Sequence, residues 1–400
     1  MDSGFEWNAL LEFAKSQSHA CILLSNGFED KYGKYEIAAG FGAKTITNSL
    51  EELTWDHSMF GFLSYDLKNH FENLKSENNS WIEVPEVMFF EPELHCYKAR
   101  SGEVFTNFVL PELPHDYFDN LRKPKSPEWI FSDRQDYLNS ISDIRNDIEN
   151  GTYYELNFCT EWKAGNASEF DPYMAFYYLN TLAPAPFSAF IKWDDNYLLC
   201  SSPERFLLAN NDQIISQPIK GTRRRQSNPH MDAEAKTELM TSEKDRAENV
   251  MITDLVRNDI SHFCIPGTVE VEELCGVHSF SHVHQMISTI TGKMRPETSV
   301  QDIISSMFPM GSMTGAPKVK VMEYIEKYED FKRGLYSGSV GYLEDGRMDL
   351  NVVIRSLQFN NRNKRIAYHT GGAITYDSIG ELEFQECLDK ASGMMAIFES

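Results

Sequence analysis

Two residues in the stretch SSPERFLLANNDQIISQPIKGTRRR carry side chains suited to covalent chemistry. Glu204 precedes one apolar run, and Lys220 ends another beside Gly221 and Thr222. A glutamate with a raised pKa serves as acid or base, and a lysine stripped of water serves as a nucleophile. The same letters also describe an exposed lysine before a turn, continued by the solvated Arg223, Arg224 and Arg225.

Carboxylates recur in pairs. SEKDRAENVMITDLVRND places Asp245 and Glu248 three residues apart, and ELEFQECLDKASGMMAIF does the same with Glu383 and Glu386. On a helix that spacing puts both acids on one face. Two such faces brought together would offer the hard oxygen ligands that Mg²⁺ prefers. Acid pairs of this kind are also ordinary on a solvated helix, and Asp245 has Arg246 beside it for a surface ion pair.

Other segments are suited to anions. In FPMGSMTGAPKVKVMEYIEKY, Gly311 and Gly315 make a tight loop, Thr314 is placed to cap, and Pro317 suits the first turn of a helix. Such an end presents free N–H groups and a favourable dipole, although a plain capped turn has the same letters. HTGGAITYDS ends a strand in Gly371 and Gly372, where a ligand could approach the backbone or the chain simply turns. Arg355 interrupts the apolar run NVVIRSL and, if it faces inward, needs a carboxylate from the protein or from a ligand. His278, His282 and His284 cluster without carboxylate or Cys partners at zinc spacing, as hydrogen-bonded histidines often do.

The elements that must position these groups follow from pattern. SDRQDYLNSISDIRNDIENG reads as a helix with Ser132 as N-cap, one apolar face of Tyr137, Ile141, Ile144 and Ile148, and Gly151 as its stop. Further helices are expected from about Ser242 to Asp259, from Pro317 to Tyr328, and from about Leu382 to the C-terminus. Strands are expected in CILLSNG, FGFLSYDL, EVMFFEPELHCYKA, SAFIKW, NYLLCSS, ERFLLAN, QIISQPI, VHQMISTITGKM, GLYSGSVGYL, MDLNVVIRSLQF and KRIAYHT. The order lacks regular βαβ alternation, which favours a sheet-rich α+β architecture. Pro111, Pro114, Pro124 and Pro127 mark a linker within 111–128.

Composition limits what these groups can serve. With 400 residues, of which 42% are hydrophobic, the chain has material for a large core. The 37 basic and 60 acidic residues give a net charge of −23, which repels nucleic acid and anionic lipid. An anionic substrate would therefore need a local basic pocket or a metal. Seven widely spaced cysteines without a C-x-x-C pair fit neither a disulfide framework nor a zinc knuckle. The start MDSGFEWNAL lacks the features of a signal peptide, and a cytoplasmic protein is expected.

The blocks SSPERFL, PIKGT, DRAENVMITDLVRNDI, FPMGSMTGAPKVKVME, LYSGSVGY, VVIRS, HTGGAITYDS and ELEFQECLDKA, in this order, resemble the chorismate-utilising enzymes. That family includes anthranilate synthase component I, aminodeoxychorismate synthase component I, isochorismate synthase and salicylate synthase. The collinear resemblance runs from about residue 128 to the end, and FGFLSYDL, GTYYELNF and APAPFSAF also look like family segments. It implies a layered α/β sandwich. An N-terminal strand-rich region over 1–115 would pack with a chorismate-binding catalytic domain over 128–400. By resemblance, Glu248 and Glu386 bind Mg²⁺, supported by Asp245 and Glu383. Tyr336, Arg355, Lys390 and the backbone at Gly371, Gly372 and Ala373 would hold the substrate carboxylates, with Gly221 and Thr222 lining the ring.

Within the family, Lys220 resembles the lysine of the aminodeoxychorismate synthases, where anthranilate and isochorismate synthases have Ala. That implies a lysine nucleophile at C2 of chorismate, Glu204 as general acid and base, and ammonia entering at C4. The product, 4-amino-4-deoxychorismate, leads to para-aminobenzoate and folate. A nucleophilic lysine near neutral pH implies a depressed pKa. Ser312 stands where anthranilate synthases have Thr, and Gln285 where they have a histidine near pyruvate elimination. No G-x-C-x-G elbow is present, so ammonia is expected from a separate glutaminase subunit. Some relatives bind tryptophan in the N-terminal region, and no tryptophan site is expected here. The competing expectations are anthranilate synthase component I and a catalytically silent chorismate-binding subunit.

Overall fold

The computed structural model describes residues 7–114, 117, 122–280 and 283–399. Among these, two antiparallel sheets of 11 and 10 strands form the centre. The first runs from Gly315–Ala316 through Glu155–Ala164, Arg365–Ile374, Ser356–Asn360, Asn196–Ser202, Phe187–Trp193, His19–Leu24, Tyr35–Phe41 and Leu94–Ala99 to Val104–Thr106. The second runs from Ile219–Arg224 through Val283–Lys293, Gln213–Gln217, Arg205–Asn210, Arg347–Asn351, Ser339–Glu344, Met59–Leu63 and Val87–Glu91 to Thr45–Thr47.

The sheets pack face to face. Cys21, Ala189, Ile191 and Leu198 of the first meet Phe60, Phe62, Met88 and Val340 of the second in one buried cluster. Helices cover the outer faces. Leu10, Phe176 and Leu179 pack on Ile22, Phe190 and Leu199, and Ile252, Val256, Ile260 and Ile304 pack on Phe206, Ile214 and Ile290. Each large apolar side chain so buried contributes roughly 1.5–3 kcal/mol. Strands covered on both sides need no polar face, which is why CILL and NYLLC are continuous apolar runs. The result is the expected α+β layered sandwich.

The strands before residue 111 do not form a sheet of their own. His19–Leu24 pairs with Phe187–Trp193, and Met59–Leu63 pairs with Ser339–Glu344, so the N-terminal region is built into both sheets. Part of the 111–128 segment, and His282, lie outside the described residues.

Local details differ from expectation in instructive ways. The Arg134–Glu149 helix is capped by Asp133, not Ser132: its carboxylate accepts from the amides of Gln135 and Asp136. Ser242 does cap Glu243–Ser261, accepting from the Asp245 amide. Thr314 does not cap Lys318–Tyr328, because its hydroxyl turns back to the Met310 carbonyl. MDLNVVIRSLQF forms two strands rather than one. It breaks at Val352–Arg355, where Arg355 has a φ of 50°. Helices over Pro229–Thr241 and Val300–Met307 also form, beyond those the pattern predicts.

Candidate active site

Lys220 lies inside the edge strand Ile219–Arg224, at a register break between Ile219 and Thr222. Gly221 takes a φ of 86° there, a backbone conformation that favours glycine. A Cβ at Gly221 would come within 2.8 Å of Asp245 Oδ1, so the strand sits tight against the Glu243–Ser261 helix. The break aims Lys220 inward, and its side chain is buried. Its Nζ donates to Glu155 Oε1 at 2.6 Å. Glu155 starts the Glu155–Ala164 strand of the other sheet, so this pair bridges the two sheets.

The expected depression of the Lys220 pKa is reversed. Burial disfavours the ammonium, but the carboxylates of Glu155, Glu248 and Glu204 outweigh it and raise the pKa. In the ligand-free protein Lys220 is a cation.

Glu204 is buried immediately before Arg205–Asn210. Burial pushes its carboxyl up to about 7, against the lowering effects of a hydrogen bond from Ser312 and the charge of Lys220. Ser312 Oγ donates to Glu204 Oε1 at 2.7 Å. Ser312, Gly311, Met310, Val256 and Asp259 line a small cavity with Glu204. Next in sequence, Arg205 is fully buried and bonds to Asp30, Asp349 and Gln217, which fixes the strand that carries Glu204.

The two carboxylate helices do converge. Lys244 Nζ is 4.0 Å from Glu248 Oε1 and 3.8 Å from Glu383 Oε1. A Cβ at Gly372 would lie 3.6 Å from both Glu383 Oε2 and Glu386 Oε1, so the glycine strand passes beneath this cluster. Burial raises Glu248 to about 7, with Lys220 lowering it and Glu155 raising it. Burial also raises Glu383. Glu386 is lowered, because Lys390 at 2.7 Å outweighs its desolvation. Asp245 is engaged by Arg223 at 2.9 Å, not by Arg246.

These hard oxygens fit a small divalent cation in kind, and Glu248 Oε1 is buried with no hydrogen-bond partner among the described residues. Among those residues, no three His, Cys, Asp or Glu side chains converge into a ready-made metal site.

The anion-binding residues separate into two groups. Arg355 is exposed yet its guanidinium is crowded by protein. Its desolvation lowers its pKa, offset in part by Tyr368. No hydrogen bond or ion pair of its side chain is found among the described residues, which leaves a guanidinium available to a carboxylate. Past Tyr368, the Arg365–Ile374 strand pairs only with Glu155–Ala164, so one backbone edge at Gly371, Gly372 and Ala373 has no partner strand among the described residues. Lys390 Nζ donates to the Gly371 carbonyl at 2.7 Å. Thr222 is exposed and pairs in register with the buried Gln285. Tyr336, by contrast, is buried, its ring stacked on His369 at 5.2 Å. His284 is buried and bonded to Asp232 and Ser279, as a core histidine.

The sequence reading missed Glu155 as a site residue. The signal was present in GTYYELNFC: a glutamate within a strand whose other positions are largely apolar, the same signal that singled out Arg355.

With a double-sheet sandwich, a buried Glu–Lys centre and converging carboxylate helices described, comparison with known proteins defines the class. The model of the chorismate binding enzyme family matches residues 12–396. The chain belongs to this family. It is 38% identical over 359 residues to the aminodeoxychorismate synthase component 1 of Salmonella typhimurium, covering 87% of this chain and 78% of that one. It is 32% identical over 347 residues to the anthranilate synthase component 1 of Saccharolobus solfataricus, covering 84% and 79%. The fold is shared with MenF, the menaquinone-specific isochorismate synthase of Escherichia coli. The TM-score is 0.80 at 18% identity, over all of this chain and 92% of MenF.

Proposed function

We propose that the protein aminates chorismate at C4, using ammonia from a separate glutaminase subunit, to give 4-amino-4-deoxychorismate for para-aminobenzoate and folate synthesis. The observation that carries this reading is the burial of Lys220 and Glu204 in one site, with Glu204 poised near neutrality. Lys220 Nζ attacks C2 of chorismate while Glu204 in its acid form protonates the departing C4 hydroxyl. Ammonia then adds at C4, the bond from C2 to Nζ breaks, and the Glu204 carboxylate takes the surplus proton. The chemistry balances as chorismate plus ammonia giving aminodeoxychorismate plus water.

Arg355, Lys390 and the open backbone edge at Gly371, Gly372 and Ala373 orient the substrate carboxylates, with Gly221 and Thr222 beside the ring. Glu248 and Glu386 would hold Mg²⁺, supported by Asp245 and Glu383. Held there, the ion would supply charge neutralisation to the dianionic substrate. Mg²⁺ is commonly held by one or two carboxylates completed by water and substrate, so a preformed cage is not required. Seven free, buried cysteines support a reducing compartment such as the cytoplasm.

The deciding experiment is product analysis with chorismate, Mg²⁺ and ammonium salt, with and without EDTA. Aminodeoxychorismate, convertible to para-aminobenzoate by an added lyase and lost with EDTA, is expected. Fluorescent anthranilate would overturn the reading in favour of the sister activity. Unchanged chorismate, with the glutaminase also supplied, would favour a silent binding subunit.

A further inference from the structure

Lys220 presents a difficulty for any role as a nucleophile: the site holds it as an ammonium, and an ammonium has no electron pair to give. Four carboxylates bear on it: Glu155, Glu204, Glu248 and Glu386. Of these, Glu155 is the one in hydrogen-bond contact, at 2.6 Å. It is completely buried, and its second oxygen, Oε2, is also buried without a hydrogen-bond partner among the described residues. A buried carboxylate with half of its acceptor capacity unused is costly as a mere structural anchor.

We propose that Glu155 is the proton acceptor for Lys220, taking the ammonium proton across the 2.6 Å contact so that the amine is free to attack, and returning it when the product leaves. The proposal rests on the reading of Lys220 as the nucleophile and supplies the step that reading lacks. Transfer converts a buried ion pair into a buried neutral pair. No proton crosses to water and no net charge changes, and the dry surrounding lowers the cost of reaching the neutral form. One proton therefore stays with the pair through the cycle. It moves to Glu155 before attack and back to Nζ after the bond from C2 to Nζ breaks. Glu204 separately cycles the proton of the C4 hydroxyl, so the two glutamates have distinct duties.

This division has a consequence for pH dependence. In the parent, the ammonium proton passes within the pair rather than to water, so adduct formation follows Glu204 alone. It should fall about tenfold per pH unit above about 7. In Glu155→Gln, Lys220 must surrender its proton to water. That fraction rises tenfold per unit and above about pH 7 cancels the Glu204 loss, so the variant's profile becomes flat there.

The test measures the Lys220–substrate adduct by intact-protein mass spectrometry, with chorismate and Mg²⁺ and without ammonia, from pH 6 to 9. Glu155→Gln should be slower by about a hundredfold at pH 7, with the deficit shrinking about tenfold per pH unit. A Glu155→Gln variant that matches the parent in rate and slope overturns the proposal, because burial alone would then free the amine. If Glu155→Gln does not fold, Glu155→Asp keeps a carboxylate. It should be slower but retain the parent's slope, and a flat profile there would overturn the proposal equally. Lys220→Ala separates the two ideas: if it still aminates chorismate, the nucleophile reading itself fails. If it is inactive while Glu155→Gln behaves like the parent, the role of Glu155 alone fails.

Discussion

Ser312 Oγ donates a hydrogen bond to Glu204 Oε1 at 2.7 Å, and both side chains are buried. A residue expected to line the substrate thus also tunes the Glu204 carboxyl. A hydrogen bond donated to a carboxylate favours its charged form, so Ser312 works against the burial that lifts Glu204 to about 7. Replacing Ser312 by Ala should raise the Glu204 pKa further. The descending limb of adduct formation should then shift to higher pH, by an amount on the order of one unit. A pH profile of the variant checks this, and a limb moved to lower pH would contradict it.

Removing either partner of the Lys220–Glu155 pair should destabilise the fold, and on the proposed mechanism Lys220→Ala should also abolish amination. Lys220→Ala leaves Glu155 buried without its cation, at a cost of about 3 kcal/mol. The double variant Lys220→Ala with Glu155→Gln should recover most of that stability and none of the activity. Urea unfolding of the parent, both single variants and the double variant measures the coupling.

If Glu248 and Glu386 hold Mg²⁺ as proposed, the ion should stabilise the parent by mass action, because those carboxylates are assembled only in the folded protein. The melting temperature should rise with Mg²⁺ and return on adding EDTA. Glu248→Gln should show little rise and weaken Mg²⁺ binding by at least about tenfold, while melting no lower than the metal-free parent, since an unpartnered buried oxygen at Glu248 is no longer charged. A Glu248→Gln variant with an unchanged Mg²⁺ response would remove that residue from the metal site.

Asp30 should act as an acid-sensitive clamp at a distance from the chemistry. Burial would raise its pKa, but its hydrogen bonds from Arg205 hold it at about 2. A depressed pKa contributes stability that is present above the unfolded value near 4 and lost as the pH falls through about 2. Asp30→Asn should therefore cost about 2 kcal/mol at pH 7 and almost nothing at pH 2. Because Arg205 adjoins Glu204, the variant should also slow adduct formation. Unfolding curves at both pH values, with adduct rates at pH 7, check the two effects together.

Short-range physics is legible in the sequence. The i, i+3 acid pairs of the two helices follow from 3.6 residues per turn, and Ser242 caps its helix because its hydroxyl reaches an amide three residues on. Where two capping candidates adjoin, as at Ser132 and Asp133, the letters do not rank them; the backbone path places the Asp133 carboxylate over the first turn. The break at Val352–Arg355 was also hidden. Its residues are apolar and β-branched, and what ends the strand is the left-handed conformation of Arg355.

The sequence by itself determined the family and the sandwich of sheets and helices, and it singled out Glu204, Lys220 and the paired carboxylates as candidates. These depend on residue type, local periodicity and the order of blocks along the chain. Tertiary structure decided the charge of Lys220 and named its partner. Glu155 lies 65 positions away in the chain and 2.6 Å away in space. Electrostatic coupling depends on distance and burial, neither of which is written in residue order. A lysine read as desolvated and neutral is thus a cation, because the opposite sheet brings a carboxylate to meet it.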